Sequence, residues 1–557
     1  MPERPSPFQT LPWNIVNTII NHTITEECQI SIVIRMLNKQ KSPYAEYLSI
    51  CRIWRQLILE RMWKKYYLNI SAEFNDVFSS SPAWRENCVP PPNQEALVRD
   101  VEIQVPFSSI LTGSASSLLA KSKYNSVVLP FAHRLTINIL NNMTDFEGDQ
   151  AEAITNVFGF IKLVGSLAPA TNQVRVGLSD SLRVRMQDEP ALGALLSSVY
   201  GVSHHSALSL SKGGFESACI LNSISELSSL SLTWSGNALL HSKLVHKNAK
   251  SLEKLSINYA HLNTVTSLFC DELGRGVVYP YMKQLTLSDR LGLVPAVLPC
   301  TANVAPFKSL TSLKLFMLYP FGDDVLFRGN SATLQYMEVV ADPVFITTLN
   351  KHEVFSAGKY RNLRHLAFNQ VVNDYVDTTV PTPMMAKFLS KLAGPAQTLQ
   401  LDIDIDAEAL LAMTAVDGQS FCNLQILKAA SVHLSLFNIF SLLKAQPALT
   451  RLDCQIGGMG FELDHIAPED LPDYVVSNYS NVGKHFQMWR TGFKSSSNYN
   501  RVSVYAMLVA LVCPNFTRIE SPYTSDSEYC NDVSKALRTG AFSKYAQRLG
   551  KLLELAK

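Results

Sequence analysis

Several features that would define an enzyme, a secreted protein or a membrane protein are missing from this chain of 557 residues. Charged residues make up only 17%, and 49 Lys and Arg against 47 Asp and Glu leave a net charge of +2. Such a balance gives no electrostatic reason to expect nucleic acid or an anionic membrane as a partner. No run of about 18 apolar residues occurs, so no membrane span is expected. Residues Met1 to Thr10 lack the basic-then-apolar order of a secretory signal, which points to cytoplasm or nucleus. The ten cysteines contain no Cys-x-x-Cys pair, and fit small buried apolar residues in a reducing compartment better than a disulfide frame. There is no Gly-x-x-x-x-Gly-Lys-Ser/Thr loop, no His-Glu-x-x-His and no Gly-x-Ser-x-Gly elbow, so no catalytic residue, metal ligand or cofactor is assigned.

What is abundant is leucine in a fixed phrase. Leu252-Glu-Lys-Leu255-Ser-Ile257, Met282-Lys-Gln-Leu285-Thr-Leu287, Leu310-Thr-Ser-Leu313-Lys-Leu315 and Leu363-Arg-His-Leu366-Ala-Phe368 share one pattern. Their middle apolar residues, from Leu230 through Leu255, Leu285, Leu313 and Met337 to Leu366, stand 25, 30, 28, 24 and 29 apart. A self-similarity at that period is the signature of leucine-rich repeats. Within each phrase, Leu-x-Leu places two apolar side chains on one side of a short strand and the middle residue on the other. Neighbouring units must stack to bury that side, which makes an elongated core and one continuous outward sheet. Looser copies at Val98-Arg-Asp-Val101, Leu135-Thr-Ile137, Val174-Arg-Val176 and Leu208-Ser-Leu210 start the array near residue 95. Helical patterns at 151–167, 238–249, 384–392 and 436–443 supply the outer side. The expected fold is therefore α/β, a leucine-rich-repeat horseshoe over 95–557. It carries an insertion at about 457–500, a helix at 501–512 and an amphipathic capping helix in 532–557.

If the phrases are strands, the outward positions are candidates for target binding on the concave face. They include Asn258, Ser288, Phe316, Glu338, His365, Asn369, Asp402, Asp404 and Gln455. Phe316 is the one large apolar side chain among them, either an anchor or, with the register one residue off, part of the core. Leu401-Asp-Ile-Asp-Ile-Asp406 alternates acid with apolar residue, reading as a strand with Asp402, Asp404 and Asp406 on one face.

Ahead of the array, residues 11–70 read as a small helical module, between a flexible 1–10 and a linker at 71–94. Leu11-Pro12 opens a helical pattern with Ile15, Val16 and Ile19, and Leu48, Ile50, Cys51, Trp54 and Trp63 follow. This order of Leu-Pro, then a small residue three before a tryptophan, then a second tryptophan nine later, resembles an F-box. An F-box ahead of irregular leucine-rich repeats is similar to the F-box leucine-rich-repeat receptors, most of all their large fungal sets. The resemblance implies that Leu11, Pro12, Ile15, Val16, Ile19, Leu48, Ile50, Cys51 and Trp54 bind the S-phase-kinase-associated adaptor. The adaptor would bind a cullin scaffold, and the repeats would hold a target protein for ubiquitin transfer. From Pro12 to Trp54 is 42 residues, longer than a compact F-box, with the surplus around Glu27 to Lys41. The bland alternative is an N-terminal cap on a protein-interaction scaffold with no ligase link.

Overall fold

The computed structural model describes residues 63–70, 94–121, 127–140, 148–179, 188–200, 205–210, 224–233, 238–258, 268–288, 305–318, 325–341, 360–369, 396–415, 423–458, 465–491 and 498–539, with short omissions inside some of these spans and a few further isolated positions. The chain divides into two compact units, Met1–Ser256 and Ile257–Lys557.

In the first unit the order is β1 (Lys65–Asn69), β2 (Asp100–Pro106), α1 (Phe107–Leu111), α2 (Ser114–Leu119), β3 (Arg134–Leu140), α3 (Gln150–Leu167), β4 (Gln173–Leu178), α4 (Glu189–Tyr200), β5 (His205–Leu210), β6 (Ser229–Thr233) and α5 (Ala238–Lys247). β7 (Lys254–Asn258) spans the division. Each of β2 to β6 lies parallel to the strand before it and in register, so Leu68, Ile103, Ile137, Val176, Leu208 and Leu230 form one buried rung. The alternation of the sequence phrase is the cause, since only its apolar positions reach the core. Helix α3 closes that core through Ala153, Val157, Phe160, Val164 and Leu167, spaced by four and three along one face. Between α1 and α2 the chain turns at Gly113, at φ 75°, where a Cβ would stand 2.9 Å from Asn156 Oδ1. The Asn156 amide uses that space to donate to the Leu111 carbonyl at 2.7 Å, satisfying the end of α1.

The second unit continues with β8 (Gln284–Ser288), β9 (Ser312–Phe316), β10 (Tyr336–Val340), β11 (His365–Asn369), β12 (Thr398–Asp402), α6 (Ala407–Ala415), β13 (Ile426–Leu434), α7 (Leu436–Ala445), β14 (Arg451–Ile456), α8 (Leu471–Tyr479), β15 (Met488–Arg490), α9 (Asn498–Val512), β16 (Arg518–Glu520) and α10 (Ser527–Thr539). Again every strand pairing from β8 to β16 is parallel and in chain order. The central rung runs from Leu285 through Leu313, Met337 and Leu366 to Trp489 and Ile519, all buried. A bulge between Ala429 and His433 shifts the register where β13 meets β14. Helix α7 starts at Ser435, whose hydroxyl accepts from the Asn438 amide at 3.1 Å.

Strand entry follows one hydrogen-bond device. Two successive amides donate to a single carbonyl of the preceding unit: Arg99 and Asp100 to Lys64, His133 and Arg134 to Arg99, Asn172 and Gln173 to His133. The second unit repeats it, for example with Gln335 and Tyr336 on Thr311, Arg364 and His365 on Gln335, and Gln487 and Met488 on Thr450. The device needs backbone alone, which is why irregular phrases enter the sheet as evenly as regular ones.

Four expectations change. Residues 65–69, expected within the helical module, form β1, because Tyr66, Leu68 and Ile70 alternate at the strand period and are buried. The expected insertion at 457–500 contains α8 and β15, a further helix and strand of the array. Its phrase went unseen because Phe486 and Trp489 replace the leucines. The acidic alternation stops being strand at Asp402, and Asp406 instead accepts from the Ala409 amide at 2.6 Å at the start of α6. The C-terminal helix begins at Ser527, earlier than expected, and residues beyond 539 lie outside those described. Among the described residues no helix is long and apolar enough to cross a membrane.

Candidate functional site

In both units one side of the sheet buries its rungs and the other carries the intervening residues, most of them half or fully exposed, with Ala367 and Asp453 buried. On the open face of the second unit the register sets Lys314 beside Glu338 and Asn369 beside Asp402. Phe316 lies on this face, half-exposed, while Leu313 and Leu315 are buried. The outward position is therefore the observed one, and the shifted register is not.

Around Phe316 the face is held by a polar cluster. Glu338 accepts from the Tyr336 hydroxyl at 2.6 Å and from the Asn369 amide at 3.3 Å, and pairs with Lys314 at 3.0 Å. The Lys314 ammonium also lies 4.9 Å from the Tyr336 ring centre and 6.0 Å from that of Phe316. Burial opposes ionisation of Glu338, but bonds from Tyr336 and Lys314, the Lys314 charge and the Asn369 bond outweigh it, so its carboxyl sits below the ordinary value. Burial likewise works against the Lys314 charge, and the bond to Glu338 overrides it, raising the ammonium.

His365 stacks on Tyr336, centroids 4.3 Å apart and planes within 4°. Its Nε2 is buried and finds no hydrogen-bond partner among the described residues. Burial, then the Lys428 and Lys314 charges, lower its pKa against the pull of Glu338. This histidine thus lies flat on Tyr336 in surroundings that disfavour its charged form.

Of the other expected face residues, Asp402 is exposed and accepts from the Gln400 amide, and Gln455 donates to the Ala430 carbonyl at 3.1 Å. Asn258 and Ser288 are half-exposed on β7 and β8. Asp404 and the nine expected adaptor-binding residues, Leu11 through Trp54, lie outside the described residues. The structure therefore groups Phe316, Glu338, His365 and Asn369, and shows no contact joining Gln455 to them.

Sequence reasoning missed Tyr336, the hub of this cluster. It opens β10 one position before Met337, and an aromatic at an outward strand position was the available signal. It also left the whole open face of the first unit without a candidate. There Lys65 pairs with Glu102 at 2.7 Å, and the Asn138 amide donates to Glu102 at 2.8 Å. Asn138 fills the space over Gly177, where a Cβ would come within 2.5 Å of Oδ1. At the far end of the second unit Arg451 grips Asp453 with two bonds of 2.8 and 2.9 Å, and Arg518 pairs with Glu520. Arg490, between these two pairs on the open face, has no ion pair among the described residues.

No cluster of three or more metal-ligating side chains occurs among the described residues. The thiols of Cys454 and Cys513 are pushed up to about 12 by burial, as suits core residues. Compared with known proteins, the chain matches no family model, and no curated protein matches it.

Proposed function

We propose that this chain is a non-catalytic recognition protein: the substrate-recognition subunit of a cullin-type ubiquitin ligase, binding a target protein on the open sheet face. The observation that carries the recognition role is the face itself. It is a row of parallel strands whose outward side chains are fixed by one another, as Lys314, Tyr336, Glu338 and Asn369 are, around a half-exposed aromatic. A preorganised polar surface with an aromatic anchor loses little side-chain entropy on binding. The ligase role rests on the F-box-like order of Leu11-Pro12, Cys51, Trp54 and Trp63 ahead of the array. In this reading the protein acts by proximity, holding target and ubiquitin-charged enzyme at high effective concentration. The cytoplasm or nucleus is its compartment, and neither nucleic acid nor membrane is its partner.

The test is co-purification of the full chain with the S-phase-kinase-associated adaptor, beside a Leu11→Ala, Pro12→Ala, Trp54→Ala variant shown to retain the array by circular dichroism. Stoichiometric binding that the variant loses supports the ligase reading. Absence of binding by the unaltered chain removes it and leaves a protein-interaction scaffold.

A further inference from the structure

A groove of about 560 Å³ crosses the open face of the first unit near the entering ends of its strands. Its lining carries four cations, Lys65, Arg134, Arg175 and Lys254, against two carboxylates, Asp100 and Glu253. All four cationic side chains are exposed. Arg134 is loosely paired with Asp100 at 3.7 Å, and Lys65 with Glu102. Arg175 and Lys254 have no ion pair among the described residues. Between those two, the row across β5 and β6 carries the short side chains of Ala207 and Ser229, so the floor drops where the free charges stand.

We infer that this groove binds an extended acidic segment of a protein partner, running across the strands. Three observations select that occupant. The first is the spread of charge. Lys65 stands on β1 and Lys254 on β7, and six strand spacings of about 4.8 Å place them about 29 Å apart. A single phosphate group cannot meet them all, whereas an extended chain at about 3.3 Å per residue spans them with about nine residues. The second is the interleaving of signs. Asp100 and Glu253 among the cations oppose the unbroken charge of a nucleic acid, one phosphate per strand every 3.4 Å or so, and favour a peptide whose acids are spaced. The third is the hydroxyl in the floor: Ser229 can donate to, or accept from, a peptide backbone lying above it.

The inference depends on the open face being a recognition surface and not on the adaptor link. Adaptor co-purification is therefore unaffected by the changes below, and the two readings fail separately.

The experiment is fluorescence anisotropy of a labelled peptide of about nine residues alternating Glu and Ser, titrated with the full chain. Saturable binding that weakens between about 50 and 300 mM salt is expected. Arg175→Glu combined with Lys254→Glu weakens it about tenfold or more, the scale of two lost and reversed exposed charge contacts. Both side chains are exposed, so circular dichroism stays unchanged; Arg175→Gln with Lys254→Gln gives a smaller loss in the same direction. Arg490→Glu, on the open face of the second unit, leaves affinity within about twofold. Equal affinity of the double variant, no saturation up to about 1 mM, or tighter binding of an oligonucleotide of equal charge overturns the inference.

Discussion

Replacing Glu338 by glutamine tests whether the cluster beside Phe316 is held by charge or by shape alone. The side chain is 14% exposed and its carboxylate takes a phenol hydroxyl, an amide and an ammonium. A hydrogen bond to a charged group is worth about 1.5–3 kcal/mol, and a surface ion pair below about 1. The Glu338→Gln change keeps the shape and one acceptor, so the loss at neutral pH is about 2 kcal/mol. That corresponds to roughly a 30-fold increase in local opening. Repeat arrays open locally, so the assay is hydrogen exchange of the β9 to β11 amides, followed with pH. The sign follows from the depressed carboxyl. Its contribution is fully present above the unfolded value, near 4.3, and is lost as pH falls through the lower folded value. Unaltered and Glu338→Gln proteins therefore converge at acid pH and differ at neutral pH. A difference that stays constant across the acid range would refute the reasoning, because it would make the effect one of packing.

Two further changes probe the parts of the array that were hardest to foresee. Trp489→Ala empties a fully buried site on β15 and removes the indole donor that lies 3.3 Å from Cys454 Sγ, costing about 3–5 kcal/mol by urea unfolding, whereas Trp489→Phe loses much less. Ser534→Ala takes from β16 a buried hydroxyl that bonds both the amide of Ile519 at 2.9 Å and its carbonyl at 3.2 Å. It costs about 1–3 kcal/mol, read as faster exchange of the Ile519 amide and earlier proteolysis within α10.

The strands were legible wherever leucine filled the phrase, because period-two alternation with one buried side is a strong signal. Those at Leu255, Leu285, Leu313 and Leu366 stand where the phrase placed them. Helices at 150–167 and 436–445 were equally plain from their apolar faces. β15 was hidden because it is three residues long and its core residue is tryptophan. β1 was hidden because Trp63 and Tyr66 also fit a helical spacing, and only pairing with β2 decides between the two periods. The outward position of Phe316 could be read from its own strand. The cluster around it could not, because Lys314, Glu338 and Asn369 come from three strands and meet only once the register is known. Nor could the first-unit groove be read, since its floor depends on which short side chains fall side by side.

The shared carbonyl at each strand entry has a consequence for how such a chain can change over time. The bonds use main-chain atoms that every residue but proline possesses, and they join each strand only to the one before it. Excising or duplicating a whole strand with its return segment rejoins like ends, with the same donors meeting the same acceptor. The number of rungs is therefore open to drift by recombination, while the outward residues vary one rung at a time, so that the reach of the surface and its chemistry can be selected separately.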